Sequence, residues 1–93
     1  MRIRWTRSAT RDLTQICNYI AERDGAAVAL RIALSVCNRI DTLTRFPERG
    51  RPGRKQGTRE FVLTGLPYLA VYSVNESVTE ILRVLHGAQD WPQ

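Results

Sequence analysis

A chain of 93 residues makes a single domain, and one too short to bury more than a little over ~60% of the surface that it exposes when unfolded. Its 43% hydrophobic content argues against wholesale disorder, and no apolar run approaches the ~20 residues that a bilayer-spanning helix requires. Fourteen basic residues (thirteen Arg and Lys55) stand against nine acidic ones, and the resulting net charge of +5 favours an anionic partner, either nucleic acid or an acidic protein.

The first element in the chain is a short strand from Arg2 to Thr6, where charge alternates with bulk and Ile3 and Trp5 share one face. Ser8 offers an N-cap to the helix that follows. Ala9, Leu13, Ile16 and Ile20 recur at steps of four, three and four, one face of an amphipathic helix, and Asp24-Gly25 ends it. A second helix is expected from about Ala26 to Arg45, with Ala29, Ile32, Ala33, Val36, Ile40 and Leu43 as its apolar stripe. Leu30, Leu34 and Cys37 widen that stripe beyond what packing on one sheet requires. Helix-on-helix contact and docking of a partner segment both account for the extra width.

Phe46-Pro47 stops the second helix. The connection from Pro47 to Thr58 holds Pro47, Gly50, Pro52, Gly53 and Gly57, and Arg45, Arg49, Arg51, Arg54, Lys55 and Arg59 make this region the densest basic cluster of the chain. Long loops inside compact domains are often functional. Three strands follow at hairpin spacing: Phe61-Val62-Leu63, Tyr68 to Val74, and Val78 to His86, with turns through Gly65-Leu66-Pro67 and Asn75-Glu76-Ser77. The near-continuous apolar run of the middle one predicts a central strand covered on both faces. The order β-α-α-β-β-β predicts an α+β fold over residues 1–93, a helical hairpin packed on a twisted antiparallel sheet.

Cys17 and Cys37 show no C-x-x-C spacing, and with His86 as the single His they form no ligand set, so no metal and no cofactor is expected. Both cysteines fall in apolar helical patterns and act there as small hydrophobes. A polar stretch, not an apolar signal region, follows Met1-Arg2-Ile3-Arg4-Trp5. The expected location is the reducing cytoplasm.

The C-terminal half carries a family likeness. Phe46-Pro47-Glu48-Arg49-Gly50-Arg51-Pro52-Gly53 resembles the inter-element loop of ParE-type toxins, and Gly57-Thr58-Arg59-Glu60 resembles the approach to their second strand. Pro67-Tyr68 through Val74 is similar to their central strand, and Ile81 to Gly87, continuing to Asp90-Trp91-Pro92, to their terminal strand and tail. In order and spacing these segments identify the chain as a member of the RelE/ParE superfamily, on its ParE-like side. The resemblance implies an antitoxin whose C-terminal region wraps the toxin and blocks it. It also implies one of two targets: RelE-type members cut mRNA in the ribosome, whereas ParE-type members inhibit DNA gyrase.

Cutting RNA without a metal requires a base for the 2′-hydroxyl, an acid for the leaving oxygen and cations around the phosphate. Leu69 stands where RelE-type enzymes commonly place an Arg, and Ala88 and Gln89 stand where they carry basic residues. Arg59 and Arg83 are the cations of the C-terminal sheet. His86 reads either as an acid/base, its unperturbed pKa of ~6.5 suiting proton transfer, or as a hydrogen-bonded end to an apolar strand. Tyr68 and Tyr72, four apart, face one side of their strand, where they stack on bases or pack in the core. Arg59 pairs with a partner carboxylate or with a nearby acid, and Trp91 pins the tail or anchors a partner.

The expected function is therefore a toxin that acts by binding gyrase rather than as an enzyme. Its partner-contacting candidates are Leu30, Leu34, Arg59, Tyr68, Tyr72, Arg83 and Trp91. The alternative is a ribosome-dependent mRNA endoribonuclease using His86, Arg83 and Arg59, and a further one is a plain basic binding module with the Arg-rich loop as its footprint.

Overall fold

The computed structural model describes residues 2–87 and Trp91. Strand β1, Arg2–Trp5, turns Ile3 and Trp5 onto the core and leaves Arg4 to pair with Glu80. Helix α1 runs Arg7–Asp24. Its N-cap is Thr6, not Ser8: the Thr6 hydroxyl oxygen accepts the Ala9 N–H at 3.1 Å. Thr6 wins the position because it also ends the sheet ladder. Its N–H donates to Ile81 O (3.0 Å) and its hydroxyl donates to Leu82 O (3.0 Å), so one residue serves the end of a strand and the start of a helix.

Gly25, at φ 96°, joins α1 to helix α2, Ala26–Asp41. This second helix is shorter than the apolar stripe predicts. The Thr42 hydroxyl donates to Arg39 O (2.6 Å) and the Thr44 hydroxyl to Asp41 O (2.8 Å), and Thr42–Thr44 tightens into a 3-10 turn that still buries Leu43.

The expected loop contains a two-residue strand, β2, Arg51–Pro52, hidden from sequence reading by its length and its proline. Then come β3, Arg59–Val62, β4, Tyr68–Asn75, and β5, Val78–His86. Leu63 lies just past β3 and is fully buried. The sheet order is β1-β5-β4-β3-β2, which places β4 at the centre as expected. The sheet is mixed, not purely antiparallel, because the two helices carry the chain across and β1 lies parallel to β5, with Arg2 opposite Val78 and Trp5 opposite Ile81.

One irregularity sets the geometry of β5. Val71 pairs with Arg83 but Tyr72 pairs with Ile81, so the partner strand carries an extra residue at Leu82, a β-bulge. Ile81 and Val84, three apart, would face opposite ways in a regular strand. The bulge lets both enter the core beneath the helices, with Ala9, Val36, Ile40, Leu43, Leu63, Ala70 and Tyr72. A smaller cluster of Leu69, Val71 and Leu85 forms on the outer face, against Leu82 and Trp91. Among the described residues, no helix is long and apolar enough to cross a membrane.

Candidate functional site

β1 ends at Trp5, so β5 beyond Ile81 has no strand beside it on that edge. Helix α1 supplies a substitute. Asp12 accepts from Arg83 Nε (2.7 Å), Arg83 Nη2 (3.0 Å) and the Val84 N–H (3.0 Å). A bidentate carboxylate–guanidinium pair of this kind is both strong and directional. Hydrogen bonding to Asp12 pushes the Arg83 guanidinium further up, with burial opposing. Asp12 escaped the sequence reading, which looked for apolar and basic residues. The signal was present: Asp12 falls between Ala9, Leu13 and Ile16 on the buried stripe of α1, where an acid needs a partner.

Beside this pair, α1 and the ends of β4 and β5 leave a cleft of about 240 Å³, lined by Asp12, Gln15, Ile16, Tyr19, Tyr68, Val84 and His86. Tyr68 meets the His86 ring edge-on, with centroids 6.0 Å apart and planes at 87°, and burial pushes the Tyr68 phenol up. The three nuclease candidates are not assembled here. His86 lines the cleft, Arg83 is committed to Asp12, and Arg59 lies further along β4, opposite Tyr72 rather than Tyr68. Asp12 gives the wall of this cleft a carboxylate.

The basic loop is built around two buried side chains. The Tyr72 hydroxyl donates to Pro47 O (2.6 Å) and accepts from the Gly50 N–H (2.8 Å). Gly50 is required: a Cβ there would lie 2.6 Å from the Tyr72 hydroxyl oxygen, and the buried ring has nowhere to go. Glu60 accepts from the Arg54 N–H (3.0 Å) and Arg51 Nη2 (3.2 Å) and faces Arg54 Nε at 3.5 Å. Burial alone would raise the Glu60 carboxyl, but these hydrogen bonds and charges outweigh it and hold the group below the usual carboxylate range. Arg59 donates to Gly50 O (2.7 Å) and Glu48 O (3.4 Å), so within the domain it binds loop carbonyls and not a nearby acid, one of the two readings left open for it. Tyr72 is fully enclosed and drops out as a partner contact, because its hydroxyl is spent on the loop.

Leu30 and Leu34 remain 62% and 55% exposed, which removes the helix-on-helix explanation of the wide stripe for these two. Half-buried Cys37 stays between the faces, and burial raises its thiol, as it does that of Cys17. Trp91 packs on the outer sheet cluster, its ring 6.0 Å from the Arg83 guanidinium carbon and its carbonyl accepting from Arg54 Nη1 (3.3 Å). Its indole N–H is buried without a hydrogen-bond partner among the described residues. Trp91 thus packs on the domain itself. Ala88, Gln89, Asp90 and Pro92, which entered the sequence reading, lie outside the described residues.

Residues 3–91 match the family described as ParE toxin of type II toxin-antitoxin system, parDE. The chain belongs to the ParE toxin family. It is 45% identical over 92 residues to a Sinorhizobium fredii protein named as toxin Y4kP, covering 99% of this chain and 94% of that one. It is 38% identical over 85 residues to Toxin RelE2 of Caulobacter vibrioides, covering 91% and 93%. Among solved structures, the chromosomal ParDE system of P. aeruginosa superposes with a TM-score of 0.88 at 27% identity, over 92% of this chain and 95% of that one. The ParE fold accounts for the mixed five-stranded sheet under two helices, and the chain is a type II toxin of the ParE/RelE superfamily.

Proposed function

We propose that this ParE-family toxin arrests growth in the cytoplasm by binding DNA gyrase, not by cutting mRNA, and that a cognate antitoxin neutralises it. The carrying observation is the Asp12–Arg83 pair. It commits Arg83, one of the two cations of the C-terminal sheet, to an ion pair, and Asp12 lines the cleft beside His86 with a carboxylate, which repels a phosphate instead of stabilising its transition state. Leu69, where a RelE-type enzyme commonly has an Arg, is buried in the outer cluster. A chain so arranged works through its surface. The antitoxin is placed on the exposed Leu30 and Leu34 of α2, an apolar helical face that suits a partner segment. A ParDE system is also what the superposing P. aeruginosa structure contains.

The test is a pair of assays on purified protein. Gyrase supercoiling should be inhibited, and mRNA on translating ribosomes should stay intact. Codon-positioned cuts together with unimpaired supercoiling would instead establish the alternative reading, a ribosome-dependent mRNA endoribonuclease.

A further inference from the structure

Residues 45–60 hold six basic side chains against two acidic ones, Glu48 and Glu60, a net of +4 out of the chain's +5. Nearly the whole net charge of the domain therefore sits on one loop. Internal pairing does not neutralise it. Arg51 and Arg54 share the single carboxylate of Glu60, and Arg59 is held by carbonyl oxygens, which leave its charge in place. Arg45 and Arg49 have no carboxylate partner among the described residues; the Arg49 guanidinium donates to the Thr42 hydroxyl (3.1 Å).

In the middle of this charge lies an aromatic ring that the core does not use. Phe46 is 50% exposed, with the guanidinium carbons of Arg49 and Arg45 at 4.9 and 5.9 Å from its centroid. The ring is held in place from below. Its N–H donates to Thr42 O (3.0 Å), its carbonyl accepts from the Arg49 N–H (3.1 Å), and the next carbonyl, of Pro47, is tied to Tyr72. Alongside lies a hollow of about 390 Å³ with Glu48, Thr58 and Arg59 as polar walls and Pro47, Pro52 and Val74 as apolar ones.

An exposed aromatic between cations, next to a recess with both a guanidinium and a hydroxyl, has the chemistry that holds single-stranded nucleic acid. The bases stack on the ring and the phosphates meet the arginines. An acidic peptide would use the cations but has no need of an exposed π-face. A duplex would use the cations too, but its stacked bases cannot reach the ring. We propose that the Phe46 loop is a binding surface for single-stranded nucleic acid, with one base on Phe46, phosphates on Arg45 and Arg49, and the neighbouring nucleotide in the Thr58–Arg59 hollow. This site is on the loop, separate from the Asp12–His86 cleft, and stands whichever target the toxin has.

Fluorescence anisotropy with labelled oligo-dT and oligo-U of roughly twelve nucleotides, within the usual range of site sizes, tests it. A matched duplex and an oligo-Glu peptide serve as competitors, and salt runs from about 50 to about 200 mM. Both single strands should bind more tightly than the duplex, and the better of the two identifies RNA or DNA as the natural source. Phe46→Ala and Phe46→Leu should each weaken binding by about tenfold or more, as loss of one base stack does, while Phe46→Tyr retains it. Arg45→Ala with Arg49→Ala should make the slope of log affinity against log salt shallower by about 1.4, two single-strand phosphate contacts. Glu48→Gln should tighten binding. Phe46 and both arginines are exposed, and unchanged melting temperatures confirm that each variant is folded. Equal affinity for duplex, insensitivity to Phe46→Leu, or tighter binding of oligo-Glu would overturn the proposal, the last by making the loop an acidic-peptide surface.

Discussion

Replacing Asp12 with Ala should be among the most damaging single changes in this domain. The carboxylate takes three hydrogen bonds at 2.7–3.0 Å from Arg83 and Val84. Its removal leaves the Val84 N–H at a buried edge without an acceptor, which costs about 1–3 kcal/mol. Breaking a buried ion pair costs about 3–5 kcal/mol, but the Arg83 side chain is 25% exposed and can turn partly to water. A total of about 3 kcal/mol follows, against roughly 5–14 kcal/mol for a whole domain of this length. The melting temperature should fall by about 12–24 °C. In urea, with a slope near ~1.5 kcal/mol per molar, the midpoint should drop by about 2 M. Asp12→Asn, which keeps the shape and one acceptor, should lose about half as much. In a double-mutant cycle, Asp12→Ala on an Arg83→Met background should cost ~1–2 kcal/mol less than on the parent. A loss below about 1 kcal/mol with an unchanged slope, or strict additivity in the cycle, would refute the view that Asp12 closes the open edge of β5.

Three further outcomes are expected. Tyr72→Phe removes only the hydroxyl that joins Pro47 O to the Gly50 N–H. It should cost about 1–3 kcal/mol and speed tryptic cleavage after Arg49 and Arg54, read by mass spectrometry of the early fragments. Glu60 titrates in the folded state below its unfolded value of ~4.3. Its contribution is therefore whole above that pH and is lost as pH falls through the lower folded value, so Glu60→Gln should flatten the acid limb of a melting-temperature profile and lower stability at neutrality by about 1–2 kcal/mol, its arginine partners being half in water. In complex with the antitoxin, Leu34→Asp should raise the dissociation rate far more than Arg54→Ala, whose effect should fade with salt; a costlier Arg54→Ala at both low and high salt would move the antitoxin from the helices to the basic loop.

The fold was legible where period and punctuation agreed: the α1 stripe of Ala9, Leu13, Ile16 and Ile20, the break at Gly25, and the central apolar strand. It was illegible where a tertiary contact overrode a local signal. Thr6 took the cap from Ser8 because its backbone was already held by β5. Thr42 and Thr44 ended α2 early through their own hydroxyls, although apolar spacing continued to Leu43. The parallel pairing of β1 leaves no trace in residue pattern, since a half-buried strand alternates the same way in either direction. At the site, the pattern showed that Leu30 and Leu34 widen the apolar stripe but not whether a neighbouring helix covers them, and only their exposure removes that use. Tyr72 was equally undecided, because alternation tells which face a residue takes but not whether that face is closed. Asp12 carried no motif, and Glu60 stood in a family-like segment that gave it no role; each is defined by partners distant in sequence or in a loop of irregular backbone.

The sheet order has a consequence for the moment of synthesis. Of the elements of this domain, β1 leaves the ribosome first, yet its only neighbour in the sheet is β5, the last to be made. Until Val78–His86 has emerged, β1 has nothing to pair with, one edge of β4 is bare, and Asp12 waits for Arg83 and Val84. The nascent chain therefore carries its hairpin of helices over an unfinished sheet, and long-range pairing of this kind forms slowly. A toxin assembled in this way acquires its surface late and all at once, which gives a partner already present in the cell the chance to meet it as it closes.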